Sequence, residues 1–278
     1  MNVLALRYEP GAPLFRPVMK GRSHCRVCKA ELRWFELIPI ISFVVQGARC
    51  RKCQAPLLWQ YPAAELVTGF VTAFVPLRLF SYFQGARFLA DGMLPAPFLL
   101  FIGFWLLAAY ALIVTALIDL RLMVLPDQIN VFIGVAGLGA VIVKALYPAM
   151  FLYNNGTLLG SYGTLFGFSG DAFLSAFMGA IVGVLFFAFI IATTRGRGMG
   201  MGDVKLAAPL GILLGWPDII LSIMASFIIG AVWSIGLLIA GAKKMKDGVP
   251  FGPFLVLGVF LVLFYGERMV KWYFTLVQ

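Results

Sequence analysis

Charged residues are scarce in this sequence. Asp, Glu, Lys and Arg make up only 12% of its 278 residues, while 62% are hydrophobic. Soluble domains usually carry about 25% charged residues, so the composition excludes an ordinary soluble domain and indicates a chain that lives in lipid. Acidic residues are the fewest, with 12 Asp and Glu against 22 Lys and Arg. The basic residues are scattered over loops without interleaved aromatics, which favours contact with the lipid bilayer and no binding of nucleic acid.

The residue types that most hydrolases use are also missing. The only histidine is His24, no serine lies in a GxSxG motif, and no HExxH motif is present. These absences exclude the serine-hydrolase elbow and the zinc-protease site. Any hydrolytic activity of this chain must therefore depend on carboxylates.

Six apolar runs are long enough to cross a bilayer, which takes about 20 residues each. We expect spans near 63–84, 97–118, 129–148, 172–193, 217–241 and 252–273. A run at 204–215 is too short to span and is expected to tilt or to pair with its neighbour around Pro217. The predicted fold is an all-α polytopic membrane protein, a bundle of six to seven transmembrane helices. A cytoplasmic cysteine segment, 1–61, is expected to precede the membrane domain, 62–278.

The distribution of basic residues predicts the orientation of the bundle. With the cysteine segment in the cytoplasm and the spans alternating, the cytoplasmic stretches hold 17 of the 22 Lys and Arg residues. The loop 149–170 contains neither, as an external loop should. In this orientation Asp119 and Asp203 lie on the same face of the membrane, each at the boundary of an apolar run.

Asp119 and Asp127 follow each other closely but call for different explanations. Asp119 ends the apolar run 98–119, where a helix C-terminus disfavours a carboxylate. A carboxylate placed against local preference at the membrane edge is a candidate functional residue. Asp127 follows Pro126 at the start of the next span, which favours a structural role as a helix N-cap.

Asp203 follows a run of three glycines at alternate positions, Gly198, Gly200 and Gly202. Asp203 would by itself also suit a helix cap, but a cap needs no such run. Glycine allows another chain to approach closely, so we expect an extended substrate to lie beside Asp203, with Lys205 adding a cation to that face. The alternative role for the glycines is close helix packing, yet the small-residue pattern for packing occurs instead at Gly179 and Gly183, inside a span.

Two carboxylates on one face, in surroundings of low dielectric constant, permit peptide hydrolysis. One ionised aspartate takes a proton from water while its protonated partner polarises the scissile carbonyl. Asp203 is expected at a helix N-terminus, which favours the charged base, and Asp119 at a helix C-terminus, which favours the neutral acid.

All four cysteines lie near the N-terminus in two CxxC pairs, Cys25, Cys28, Cys50 and Cys53. Two such pairs predict a tetrahedral zinc site, although the 21 residues between them slightly exceed the usual spacing. A pair of disulfides is the alternative, and the expected cytoplasmic location argues against it. His24 is a competing ligand, but its neighbour Cys25 already fills the position. A site of four thiolates is closed and hence structural.

Together these motifs resemble the bacterial type IV prepilin peptidases, membrane aspartyl proteases of the GxGD kind. The matching segments run in order along nearly the whole chain: CRVC and CRKC, YPAAELVTG, ALIDLRLMVLPD, GMGMGDVKL and PFGPFL. By motif, the resemblance implies that Asp119 and Asp203 are the catalytic pair. It also implies cleavage of the basic leader of prepilins or pseudopilins, after a glycine, at the cytoplasmic face of the bacterial inner membrane. Many members then methylate the new N-terminus with S-adenosylmethionine.

Two features depart from the family pattern. Members usually begin with a span that ends in a pattern such as SFLNVxxxR, and MNVLALRYEPG resembles only the tail of that element. We therefore expect upstream coding sequence to supply a first span. Leu37 replaces the asparagine that is common before the IP of the cysteine segment.

Two other classes of function remain alternatives on the residues alone. A transporter or channel with paired intramembrane carboxylates for protons or cations would favour polar residues at mid-span, whereas both aspartates lie at the ends of apolar runs. A zinc-stabilised membrane scaffold would give no reason for the glycines before Asp203.

Overall fold

The computed structural model describes residues 22–83, 95–151, 157–159, 170–196, 198–242 and 248–277, together with residues 5, 8, 10 and 162. Within this part of the chain the regular secondary-structure elements are all helices. Eight α-helices follow in order: α1 Ile41–Val45, α2 Gln60–Tyr82, α3 Ala96–Leu122, α4 Asp127–Leu146, α5 Ala172–Thr194, α6 Met201–Leu214, α7 Asp218–Ile239 and α8 Gly252–Val277. Two short 3-10 helices cover Trp34–Leu37 and Pro148–Met150.

Six of these helices are long and apolar enough to cross a membrane, namely α2, α3, α4, α5, α7 and α8. The expected all-helical membrane bundle is confirmed, and the ends expected from the apolar runs differ from the observed ends by at most four residues. Prolines mark two of the starts, because Pro95 and Pro126 each occupy the N-cap position in extended conformation. A proline there is compatible with a helix start, since its missing N–H would have no partner inside the helix.

Helix α6 is the short apolar segment, and it packs inside the bundle. Its 14 residues give a length of about 21 Å, less than the hydrocarbon thickness of about 30 Å. On α5, a side chain added to Gly179 would lie 2.5 Å from the Gly211 carbonyl oxygen, and one added to Gly183 would lie 3.1 Å from that of Ala207. Glycines thus bring the two backbones together, which confirms the packing role expected for Gly179 and Gly183.

Helix α4 lies along another side of α6. A side chain added to Gly134 would meet Pro209 at 3.6 Å, and one added to Gly137 would meet the Leu213 backbone at 3.2 Å. The later residue of α4 thus contacts the later residue of α6, so the two helices run parallel at this interface. Their N-terminal ends therefore lie at the same end of the bundle.

The chain divides into two compact units, residues 1–73 and 74–278. The first contains the cysteine pairs, α1 and the beginning of α2, and the second contains α3 to α8. The domain boundary expected after residue 61 remains a prediction. The expected remnant of a first span lies outside the described residues, since only 5, 8 and 10 of residues 1–21 are described.

Candidate active site and metal centre

Asp119 lies in the last turn of α3 and is almost completely buried, with 4% of its surface exposed. The helix ends at Met123, which adopts a left-handed backbone conformation and donates its N–H to the Asp119 carbonyl. The Asp119 side chain makes a separate hydrogen bond: its carboxylate Oδ2 accepts the backbone N–H of Gly252 at 2.9 Å. Gly252 is the first residue of α8, so the carboxylate lies at the N-terminus of a second helix.

Asp203 is the third residue of α6 and is 8% exposed. Its Oδ2 accepts the N–H of Gly200, the N-cap residue, at 3.3 Å. Asp203 therefore does take part in capping its helix. The two aspartates have similar surroundings, because each is buried and accepts the N–H of a glycine at the start of a helix.

The two carboxylates are close enough to influence each other. The pKa of Asp203 is raised to about 6, first by burial and then by the negative charge of Asp119, against the opposing hydrogen bond from Gly200. The side chain of Leu125 lies against both Gly202 and Gly252. A Cβ atom added to Gly202 would lie 3.2 Å from Leu125, and one added to Gly252 would lie 3.1 Å from it. The α3–α4 loop thus packs between the glycine that precedes Asp203 and the glycine that binds Asp119.

The three glycines before Asp203 have different surroundings. A side chain on Gly198 would collide with Thr194 at 2.9 Å, and one on Gly202 would press on Leu125. A side chain on Gly200 would meet only Asp203 Oδ2 at 3.8 Å and the Gly202 nitrogen at 3.9 Å. Gly200 is therefore the position of the three that leaves space next to the carboxylate, while the expected approach of substrate remains a prediction.

Lys205 forms no recorded hydrogen bond with Asp119 or Asp203. Its Nζ lies 2.9 Å from both carboxylate oxygens of Asp127. Both side chains are more than half exposed. The prediction that Asp127 is an N-cap was wrong, because Pro126 occupies that position and Asp127 is the first helical residue. The carboxylate instead ties the start of α4 to the first turns of α6.

The role of Gly252 was not predicted from the sequence, although Gly252 lies in the motif PFGPFL. A side chain on Gly252 would lie 2.6 Å from Asp119 Oδ2, closer than atoms can approach without displacement. Position 252 must therefore be glycine if Asp119 is to receive the backbone N–H. The available signal was a glycine at the start of an apolar run, but the partner lies 133 residues earlier in the chain.

Asn130 is a second residue that the sequence did not single out. It is 6% exposed, and neither its side-chain oxygen nor its nitrogen has a hydrogen-bond partner among the described residues. Helical spacing places Asn130 on the same face of α4 as Gly134 and Gly137, the face that contacts α6. A buried donor and acceptor thus lie near the end of α6 that bears Asp203.

In the first unit, the four cysteine sulfurs form a compact cluster. They lie within 4.8 Å of one another, and Sγ of Cys25 is 3.8 Å from Sγ of Cys53. Four sulfurs about 2.3 Å from a tetrahedral zinc ion would be about 3.8 Å apart, so the cluster fits this metal. All four cysteines are free thiols, consistent with the expected zinc site and not with disulfides.

Two backbone turns of matching geometry present these sulfurs. In each turn the first cysteine N–H bonds to the carbonyl oxygen five residues later, from Cys25 to Ala30 and from Cys50 to Ala55. Backbone N–H groups, that of Cys28 foremost, lower the pKa of the Cys25 thiol to about 6, which favours the thiolate that binds metal. His24 is not part of the cluster, since its Nδ1 lies 3.1 Å from the Arg22 carbonyl oxygen.

We expect one zinc ion per chain in protein purified in detergent without added chelator. Elemental analysis measures it directly, and replacing Cys25 and Cys28 together with serine should reduce the ratio to below about one tenth, because two of four ligands are lost. Four cysteines found in disulfides after purification under thiol-blocking conditions would contradict both the metal and its cytoplasmic location.

Known protein families and individual proteins match most of this chain. The model of the bacterial peptidase A24 N-terminal domain matches residues 1–79, and that of the type IV leader peptidase family matches residues 106–235. A protein of Aeromonas hydrophila named prepilin leader peptidase/N-methyltransferase is 32% identical, over 93% of this chain and 76% of its own length. The chain belongs to the type IV leader peptidase family.

Other members of this leader peptidase family are similar over almost the full chain. Proteins of the same name from Bacillus subtilis and Pseudomonas aeruginosa are each 28% identical. The matches cover 94% and 98% of this chain, and 88% and 81% of the respective relatives. No solved structure matches the chain. Membership of this family does not favour the alternative of a transporter or channel.

Proposed function

We propose that this leader peptidase cleaves the basic leader of prepilins or pseudopilins at the cytoplasmic face of the bacterial inner membrane. The observation that supports it best is the pair Asp119 and Asp203. Both are buried, they interact electrostatically, and each accepts a backbone N–H at a helix N-terminus. Like charges that interact in this way resist joint ionisation, so the pair retains one proton to a higher pH than isolated carboxyl groups would.

The pair performs hydrolysis through one attacking water molecule. The ionised aspartate takes a proton from the water, whose oxygen attacks the carbonyl carbon of the scissile peptide. The protonated aspartate donates its proton to the carbonyl oxygen as the tetrahedral intermediate forms. Collapse of the intermediate breaks the C–N bond, and the leaving amine takes up the proton that the base removed from water. One hydroxyl of the intermediate returns its proton to the aspartate that acted as acid, which restores the pair.

The contacts of Asp119 and Asp203 favour the opposite assignment of base and acid from the one predicted from helix ends. That assignment made Asp203 the base because only Asp203 was expected at a helix N-terminus. In the structure Asp119 accepts the shorter of the two glycine hydrogen bonds, 2.9 Å against 3.3 Å, which favours its charged form. With the pKa of Asp203 raised to about 6, we assign the charge to Asp119 and the shared proton to Asp203.

The charge distribution supports the proposed location at the cytoplasmic face. The stretches assigned to the cytoplasmic side, which include the end of α3, the start of α4 and the start of α6, together hold 17 of the 22 Lys and Arg residues. The leader of the proposed substrate is basic and is made in the cytoplasm. The exposed pair of Lys205 and Asp127 lies at this same end of the bundle.

The names of the relatives also include N-methylation, and we propose this second activity for the chain with S-adenosylmethionine as methyl donor. The described residues do not present a set of side chains from which a site for that cofactor can be derived. Mass spectrometry of the mature product tests the proposal, because methylation adds one methyl group to the new N-terminus.

Gly200→Ala tests whether substrate lies beside Asp203. The added methyl group collides with nothing in the free protein, yet it fills the space next to the carboxylate. We expect cleavage to fall by roughly 10²-fold, the usual cost of misplacing reacting groups by about 1 Å. Gly236→Ala, where an added side chain has open space, is the matched control. Equal rates for the two variants would show that substrate does not use this space.

Cleavage itself is tested by producing the chain together with candidate prepilins in a host without its own leader peptidase. The expected product is a shortened pilin with a new N-terminus, detected by gel mobility and mass spectrometry. A prepilin that keeps its full leader in cells containing folded, membrane-inserted enzyme would contradict the proposal for that class of substrate.

A further inference from the structure

Helix α1, Ile41–Val45, exposes an apolar face in the first unit. Ile41, Val44 and Val45 are 59%, 70% and 79% exposed, and their i, i+3, i+4 spacing places them on one side of the helix. Phe43 points the other way, is 8% exposed, and packs against the ring of Trp59 at a centroid distance of 5.2 Å. One face of the short helix is therefore packed against Trp59, and the other face is apolar and exposed.

A hydrogen bond joins α1 to the beginning of the membrane span α2. The N–H of Ile40, just before α1, donates to Oε2 of Glu65 at 2.8 Å. Glu65 lies five residues after Gln60, where the span begins, which is about 7.5 Å along the helix axis. Trp59, adjacent to the span and 76% exposed, occupies the position at which tryptophan marks membrane–water interfaces. Helix α1 thus lies beside the part of α2 that crosses the headgroup region.

The surroundings of α1 are strongly basic. Residues 22–60 contain seven Lys and Arg residues and two Glu residues. All seven basic side chains are exposed: Arg22, Arg26, Lys29, Arg33, Arg49, Arg51 and Lys52. Such a charge is complementary to a membrane surface of anionic lipids, which attracts basic segments within a few ångströms to about 10 Å.

We propose that Ile41, Val44, Val45 and Trp59 form a lipid-docking face, which rests in the headgroup region of an anionic membrane. The apolar side chains enter the boundary between headgroups and acyl chains, and the basic residues of the cysteine turns bind lipid phosphates. Three observations favour lipid as the partner of this face. They are the position set by the Ile40–Glu65 hydrogen bond, the apolar side chains and the surrounding positive charge. The proposal concerns the first unit alone and does not depend on the catalytic assignment.

An environment-sensitive fluorescent amino acid at Val45 tests this docking in the full, zinc-loaded chain reconstituted in nanodiscs. With lipids brominated in the upper acyl chain and rich in phosphatidylglycerol, we expect quenching at Val45 at least about twofold stronger than at Glu31. Glu31 is the matched control because it is exposed on the first cysteine turn and pairs with Arg22 in water. Nanodiscs of phosphatidylcholine alone should reduce the quenching at Val45. Zinc content equal to that of the unlabelled chain shows that the labelled protein is folded.

The outcomes separate lipid from a protein partner. Equal quenching at Val45 and Glu31 overturns the proposal, and so does quenching at Val45 that does not depend on anionic lipid. A change at Val45 that occurs only when prepilin is added would also overturn it, since the face would then bind substrate. The same probe at Val44 serves as a second measurement if the Val45 variant fails to incorporate zinc.

Discussion

Asp119→Asn and Asp203→Asn should each abolish leader cleavage while the protein still accumulates in the membrane. Each variant keeps the size and most hydrogen bonds of the side chain but loses the ability to exchange the proton that hydrolysis requires. General acid–base catalysis contributes about 10² to 10⁴-fold per group, so we expect a loss of at least about 10³-fold for each. Initial rates on a purified prepilin, in detergent or nanodiscs, measure the loss. The double variant should be hardly worse than either single variant, because the two residues act as one unit.

Asp127→Asn is the matched control, since it removes a carboxylate from the same end of the bundle. Asp127 forms an exposed ion pair with Lys205, and such pairs are worth at most about 1 kcal/mol. We expect less than about a fivefold change in rate. Full activity in Asp119→Asn or Asp203→Asn would refute the two-aspartate mechanism, and complete loss in Asp127→Asn would place that residue in the active site instead.

Gly252→Ala should have the next largest effect. The added methyl group would lie 2.6 Å from Asp119 Oδ2, so the carboxylate must move away and the 2.9 Å hydrogen bond from the Gly252 N–H must lengthen. Loss of one preorganised donor costs about 10² to 10³-fold in well-studied enzymes, and we expect a loss in that range. The rate constant kcat should fall more than KM rises, because the change affects the catalytic group and not the leader.

Gly103→Ala is the control for this substitution. Gly103 lies in α3, the helix that bears Asp119, and an added side chain there meets nothing within 4 Å. Its rate should be close to that of the unmodified chain. If Gly252→Ala cleaved as fast as Gly103→Ala, the hydrogen bond from α8 to Asp119 would have no catalytic role.

The spans could be predicted from the sequence, and Asp119 and Asp203 could be singled out as candidates, because their signals are local. A bilayer demands about 20 apolar residues in a row, and the boundaries of such runs are visible without knowledge of any partner. Asp119 and Asp203 stood out because each is a carboxylate at the end of an apolar run. The four cysteines were equally clear, since zinc fixes the spacing within each pair.

The parts that the sequence did not predict depend on contacts between distant segments. The environment of Asp119 was deduced from the end of its own helix, whereas the structure adds the start of α8, 133 residues away. Asp127 was assigned to its own helix end, but its partner Lys205 is 78 residues away. A capping preference is a local property and cannot reveal that a neighbouring helix supplies a cation or an N–H group.

The measurement that tests the central claim most directly is infrared titration of the proton shared by Asp119 and Asp203. Spectra of the chain and of each single Asn variant are taken as differences from the double variant, which removes the signals of all other carboxyl groups. We expect a protonated-carboxyl band that fades as the pH rises through about 6, and this component should be absent in Asp203→Asn. In Asp119→Asn the band should persist with a lower midpoint, because the negative charge of Asp119 no longer raises the pKa of Asp203. A band lost in Asp119→Asn and kept in Asp203→Asn would reverse the two roles, and two bands that titrate independently would contradict the coupled pair.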